Sequence, residues 1–157
     1  FSFALKDRVT NVVAMQKFLS KVKTPYDVLE ETPKNYIMHL RFNQIDKKYS
    51  NLMEKAISLE KKSEKILFFQ YGGDLSISSD LANELSYKYP NKFIIVVYIT
   101  GVKANISIRG KDIRKTVLKV IENLDGATGG GHEDAVGAQV KIEDLERFRD
   151  LFEKAVG

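Results

Sequence analysis

No cysteine occurs among the 157 residues, which removes disulfide staples, thiol nucleophiles and every thiolate metal site, and fits a reducing interior. Long apolar runs are missing as well. The longest, FIIVVYI from Phe93 to Ile99, has seven residues, far short of the roughly 20 that a membrane-spanning helix needs. The N-terminus also lacks the charged region and cleavage site of a secretory signal. The expected location is cytoplasmic, with no membrane partner. Charge of one sign is scarce too: 25 Lys+Arg against 21 Asp+Glu leave a net +4, so a polyanion would have to be met by a local basic face and not by bulk charge. Because the chain starts at Phe1 inside a helix-like pattern, a fragment of a longer protein is expected.

What is present suffices for a core, with 43% hydrophobic residues in a chain of ordinary domain size. Leu5, Val9, Val12, Val13 and Leu19 recur at helical spacing over residues 2–22, up to the break at Thr24-Pro25. After a short helical turn, YDVLEE, Pro33 opens a second long pattern through Ile37, Leu40, Ile45, Tyr49, Leu52, Met53 and Ala56, which predicts a helix running to about Lys62. From Lys65 the period becomes strand-like. KILFFQY reads as a strand, SSDLANELSYKY as a capped helix, KFIIVVYIT as a mid-sheet strand and VKANISIRG as its hairpin partner across Gly101. A helix from Asp112, a glycine-rich loop, the strand AVGAQVKI and a last helix, EDLERFRDLFEKAV, complete the chain. The expected fold is α/β, a mixed central sheet of about four to five strands with helices packed on it, preceded by a helical arm. Residues 1–64 form the arm and 65–157 the α/β domain.

DGATGGGHEDAVGAQV, residues 125–140, raises the functional question. Glycine costs conformational entropy, so three in succession require either unusual backbone angles or a neighbour that needs the space. A helix cap and tight turn is one reading, but Gly126 serves as that cap, which leaves Gly129, Gly130 and Gly131 unexplained. Successive exposed amides in a loop make an anion-binding concavity, and His132 at its rim can add a hydrogen bond. Upstream, alternation along NISIRG sends Asn105, Ser107 and Arg109 to one face, opposite Ile106 and Ile108. A solvated outer face would also account for them. Arg109, however, offers a planar fork suited to phosphate, and together with the glycines suggests a phosphoester ligand.

TGGGHEDAVGA resembles the GGGHxxAAG signature of the DHH-associated domain, the C-terminal domain of DHH-family phosphoesterases, and ISIRG resembles the S-x-R strand that precedes it. The likeness covers roughly Lys65 to Val156, leans toward archaeal RecJ-like single-strand exonucleases, and departs from the pattern at Val136, where the family has alanine. It implies that Gly129, Gly130, Gly131 and His132 hold a substrate phosphate, that Ser107 and Arg109 contact the terminal nucleotide or its phosphate, and that GINS is a partner of the parent protein; Asn105, on the same strand face, is counted with them as a binding residue. Catalysis in that family uses a pair of divalent metals, Mn or Mg, held by carboxylates and histidines. This chain has two histidines, His39 and His132, and neither a D-H-H triplet nor a D-x-D pair. His39 reads as an ordinary helix-face residue, and three adjacent residues such as His132-Glu133-Asp134 rarely converge on one ion. The expected role is therefore a substrate-binding domain for single-stranded nucleic acid or a short oligonucleotide, not catalytic alone, working with an upstream DHH catalytic domain. A tRNA-binding domain related to alanyl-tRNA synthetase, a ligand domain of a cyclic-dinucleotide phosphodiesterase, and a pure interaction module remain alternatives.

Overall fold

The computed structural model describes residues 1–157, which divide into two compact units, Phe1–Asn51 and Leu52–Gly157.

In the first unit, residues 2–5 form turns, and α1 spans only Val9–Leu19. The helix expected from residue 2 starts late because the Asp7 carboxylate accepts the Arg8 amide (2.7 Å) and the Asn11 side chain (3.0 Å), a local alternative to a helical turn. After α2 (Tyr26–Leu29) the buried Asn35 donates to the Glu30 carbonyl (2.9 Å) and accepts from the Thr32 amide (2.7 Å), tying the connection to the first turn of α3 (Tyr36–Ser58). A small core of Ala4, Met15, Val28 and Met38 fills this unit. His39 donates its Nε2 proton to the Val28 carbonyl at 2.8 Å, so it has a structural partner on its helix face. The helical pattern expected to reach Lys62 breaks at Ser58 and passes into a 3-10 turn, Glu60–Lys62.

The second unit is built on a five-stranded mixed sheet in the order β1-β2-β3-β5-β4. β1 (Ile66–Gly72) runs parallel to β2 (Phe93–Thr100), joined through α4 (Ser78–Lys88). β3 (Lys103–Arg109) returns antiparallel after the turn at Gly101, where φ is 58°. α5 (Ile113–Ile121) then leads to β4 (Thr128–His132), β5 (Ala135–Lys141) and α6 (Leu145–Val156). The sequence pattern missed β4: the stretch expected as a glycine loop is an extended edge strand paired antiparallel with β5. It carries no apolar alternation, the signal by which strands are recognised. Gly126, expected to cap α5, instead turns the chain at φ 69° after the helix has ended at Ile121.

Alternation decides what each face buries. Ile95, Val97, Ala104, Ile106, Ile108, Val136, Ala138 and Val140 pack with Ile113, Val117, Ile121, Phe148 and Phe152 of α5 and α6. Burying a side chain of this size contributes about 1.5–3 kcal/mol, so this layer dominates the stability of the unit. On the opposite face α4 packs over β2 and β3.

Candidate functional site

The registers place the residues of interest in rows across three strands. Ser107 of β3 stands opposite Gly137 of β5, which stands opposite Gly130 of β4. On one side of that row lie Arg109, Ala135 and His132, and on the other Asn105, Gln139 and Thr128. Positions two apart on a strand share a face, so these nine residues form one surface. It is the α4 face, because Ser107 and Arg109 both bond to α4. α4 reaches β2 and β3, while a Cβ added at Gly130 or Gly137 would meet nothing within 4 Å. The centre of the surface is thus a bare main-chain floor beside the wall that α4 makes.

The three glycines do different things. Gly129 and Gly131 face the α5 side, where a Cβ on Gly129 would come within 2.9 Å of Ile121 Cδ1 and 3.0 Å of the Gly137 carbonyl. At Gly131, φ is 148° and a Cβ would collide with the Ala135 carbonyl oxygen. Packing and the β4–β5 turn explain these two. Gly130 has no such reason, and only it belongs to the open floor. Since β4 is extended, its amides do not curl into the concavity expected of a loop; an edge strand instead offers alternate main-chain groups on its unpaired side.

Arg109 is half-buried, and burial pulls its pKa below the ordinary guanidinium value. Its Nε donates to Asn83 Oδ1 at 2.7 Å and its Nη1 to the Ile108 carbonyl at 2.8 Å, both neutral acceptors. Ser107 is 6% exposed. Its hydroxyl lies 3.0 Å from that of Ser78 and 3.3 Å from that of Ser79, so the expectation of a fully presented Ser107 is modified: the hydroxyl at the surface of this trio is Ser79. Asn105 accepts a 2.7 Å bond from Gln139 Nε2, a cross-strand pair at the far side of the floor. Ser78, Ser79 and Asn83 were missed as site residues because SSDLANE reads first as a helix start. The faint signal was the i,i+4 spacing of Ser79 and Asn83 on the flank of an amphipathic helix.

Beside His132, the Asp134 carboxylate and the main chain of Glu133 and Asp134 have a structural role. The Asp134 carboxylate accepts the Asp112 amide (2.8 Å), the Asp134 carbonyl accepts the Gly110 amide (3.1 Å), and the Glu133 carbonyl accepts the Arg114 amide (3.0 Å). The β4–β5 turn thereby clamps the β3–α5 junction, where Asp112 holds the left-handed φ of 55°. Tyr71 and Tyr98 are buried and brace the β1–α4 loop. Tyr71 Oη accepts the Ile77 amide at 2.8 Å, and Tyr98 donates to the Gly73 carbonyl at 2.9 Å. No three histidine or carboxylate side chains come together as a metal site requires.

No curated protein sequence matches the chain. Among solved structures, RecJ from Thermus thermophilus in complex with Mg2+ superposes over 98% of this chain and 24% of its own, with a TM-score of 0.67 at 13% identity. The pGpG-specific phosphodiesterase PggH from Vibrio cholerae matches over 94% of this chain and 52% of its own, at a TM-score of 0.51 and 16% identity. CDC45 from Entamoeba histolytica matches over 98% and 35%, at 0.50 and 12%. At such identities these likenesses show a shared fold, and the chain spans about a quarter of the RecJ chain. Residues 63–157 match the DHHA1 domain, and the chain belongs to that DHH-associated family.

Proposed function

We propose that this chain is the substrate-binding part of a RecJ-like phosphoesterase, and that the open α4 face seats a terminal phosphate of single-stranded nucleic acid. The observation that carries the reading is Arg109: a half-buried cation held by two neutral acceptors, at the rim of a main-chain floor free of side chains. Desolvating a charge is costly unless it is paired, and an esterified phosphate on the Gly130–Gly137 floor supplies the missing counter-charge. Ser79, His132 and the β4 edge complete the seat, and a strand end fits because the floor contacts backbone without reading bases. The helical residues 1–64 stand as the connector to an upstream DHH domain, whose carboxylates and histidines would hold the catalytic Mn or Mg.

Fluorescence anisotropy with 5′-phosphorylated and unphosphorylated DNA and RNA 12-mers, with pGpG and with tRNA, each at two salt concentrations, tests this. Phosphorylated single strands should bind most tightly, and Arg109→Ala should weaken them by roughly tenfold or more, the value of one charge-assisted contact. Preference for tRNA would favour the synthetase-like alternative, and preference for pGpG the dinucleotide one. Wild-type affinity in Arg109→Ala would remove the nucleic-acid reading of this face.

A further inference from the structure

Asn83 stands on the exposed side of α4, one helical turn after Ser79, and its side-chain oxygen lies 2.7 Å from Arg109 Nε. An Nε–H can only donate, so the amide is turned with its oxygen toward the guanidinium. The second anchor, Nη1 to the Ile108 carbonyl at 2.8 Å, comes from the strand that carries Arg109 itself. These two contacts hold a planar group from two elements, α4 and β3, through Nε and Nη1. Arginine has many rotamers to lose on ordering, and a fork fixed before the ligand arrives has already lost them. A neutral acceptor achieves this without cancelling the charge, which a carboxylate in the same place would do.

We infer that Asn83 is a positioning residue for Arg109, setting the guanidinium plane for the anion while leaving its charge uncompensated. The inference rests on the phosphate-seat reading above and deepens it, since it assigns part of the site to a helix outside the family's glycine and S-x-R motifs. It also accounts for an asparagine at a surface position that makes no contribution to the core.

The test uses the whole chain and two readouts. Arginine Nε–H exchange measured by NMR without any ligand reports whether the guanidinium is held, and anisotropy with the 5′-phosphorylated 12-mer reports its consequence. Asn83→Ala should raise the Arg109 Nε–H exchange rate severalfold and weaken binding at least fivefold, with the thermal midpoint unchanged. Asn83→Asp should keep the Nε–H protected and still weaken binding, because it pairs the charge the ligand needs. Exchange at the wild-type rate in Asn83→Ala, or wild-type affinity in Asn83→Asp, would overturn the inference. If Arg109→Ala binds like the parent, the phosphate seat itself falls, whereas the ligand-free exchange rate still judges whether Asn83 holds Arg109.

Discussion

Gly130 and Gly137 face each other across the β4–β5 ladder, and a methyl group on either would project into open space. Neither has a positive φ, so packing and backbone geometry leave both glycines unexplained. Alanine at either position should keep stability within about 1 kcal/mol of the parent, on the stabilising side, because the unfolded chain loses freedom. Ligand affinity should fall if the floor is the proposed phosphate seat, since the added methyl rises from it. Chemical denaturation paired with anisotropy measures both, and undiminished binding in the double variant would show that the floor is not the seat.

The neighbouring glycines should behave in the opposite way. Gly131→Ala meets the Ala135 carbonyl at a φ of 148°, and should cost about 2–4 kcal/mol in strain and displaced backbone. Gly129→Ala meets the flexible end of Ile121 at 2.9 Å but also the Gly137 carbonyl oxygen at 3.0 Å, and should cost about 1–3 kcal/mol. Urea midpoints ranking Gly131→Ala below Gly129→Ala, and both below Gly130→Ala, would confirm the division among the three.

Arg109→Met keeps an unbranched stem and removes the half-buried guanidinium. Stability should change by less than about 1 kcal/mol, because burial of an unpaired charge is itself unfavourable, while binding of a phosphorylated strand is lost. A large loss of stability with binding retained would make Arg109 a structural residue.

Asp134 holds the β3–α5 junction through the Asp112 amide. Asp134→Ala should cost about 1 kcal/mol, the usual value of a lost capping oxygen, and should speed exchange of the Asp112 and Gly110 amides without a direct effect on the floor. Hydrogen exchange resolved by residue measures this.

Burial pushes the Tyr71 phenol up to about 12 from 10.0, against the lowering effect of the Ile77 amide that its oxygen accepts. Folding therefore favours the protonated phenol: its contribution is complete below pH 10 and is lost as pH rises through about 12. Tyr71→Phe should be less stable at neutral pH by about 1–2 kcal/mol, since the Ile77 amide loses its acceptor, yet lose less stability than the parent between pH 10 and 12. Absorbance titration at 295 nm with parallel denaturation curves checks both.

Where apolar side chains alternate or recur at helical spacing, local sequence was enough. The mid-sheet strand Phe93–Thr100, the hairpin at Gly101, the inward Ile106 and Ile108, and helices α4, α5 and α6 follow from hydrophobic period and turn chemistry. The common face of Asn105, Ser107 and Arg109 follows from the two-residue repeat of a strand, and the family resemblance from the order of two short motifs. Strand β4 was not legible, because glycine carries no side chain whose burial could reveal a period. Its identity comes from pairing with β5, a contact between backbones. The same long-range register separates Gly130 from Gly129 and Gly131, brings Gly137 beside Ser107, and sets Asn83 against Arg109 from 26 positions away. Residue types and local periods determined which groups could bind an anion. Only tertiary packing, which chooses the face each strand edge presents and what α4 leaves uncovered, decided which of them meet.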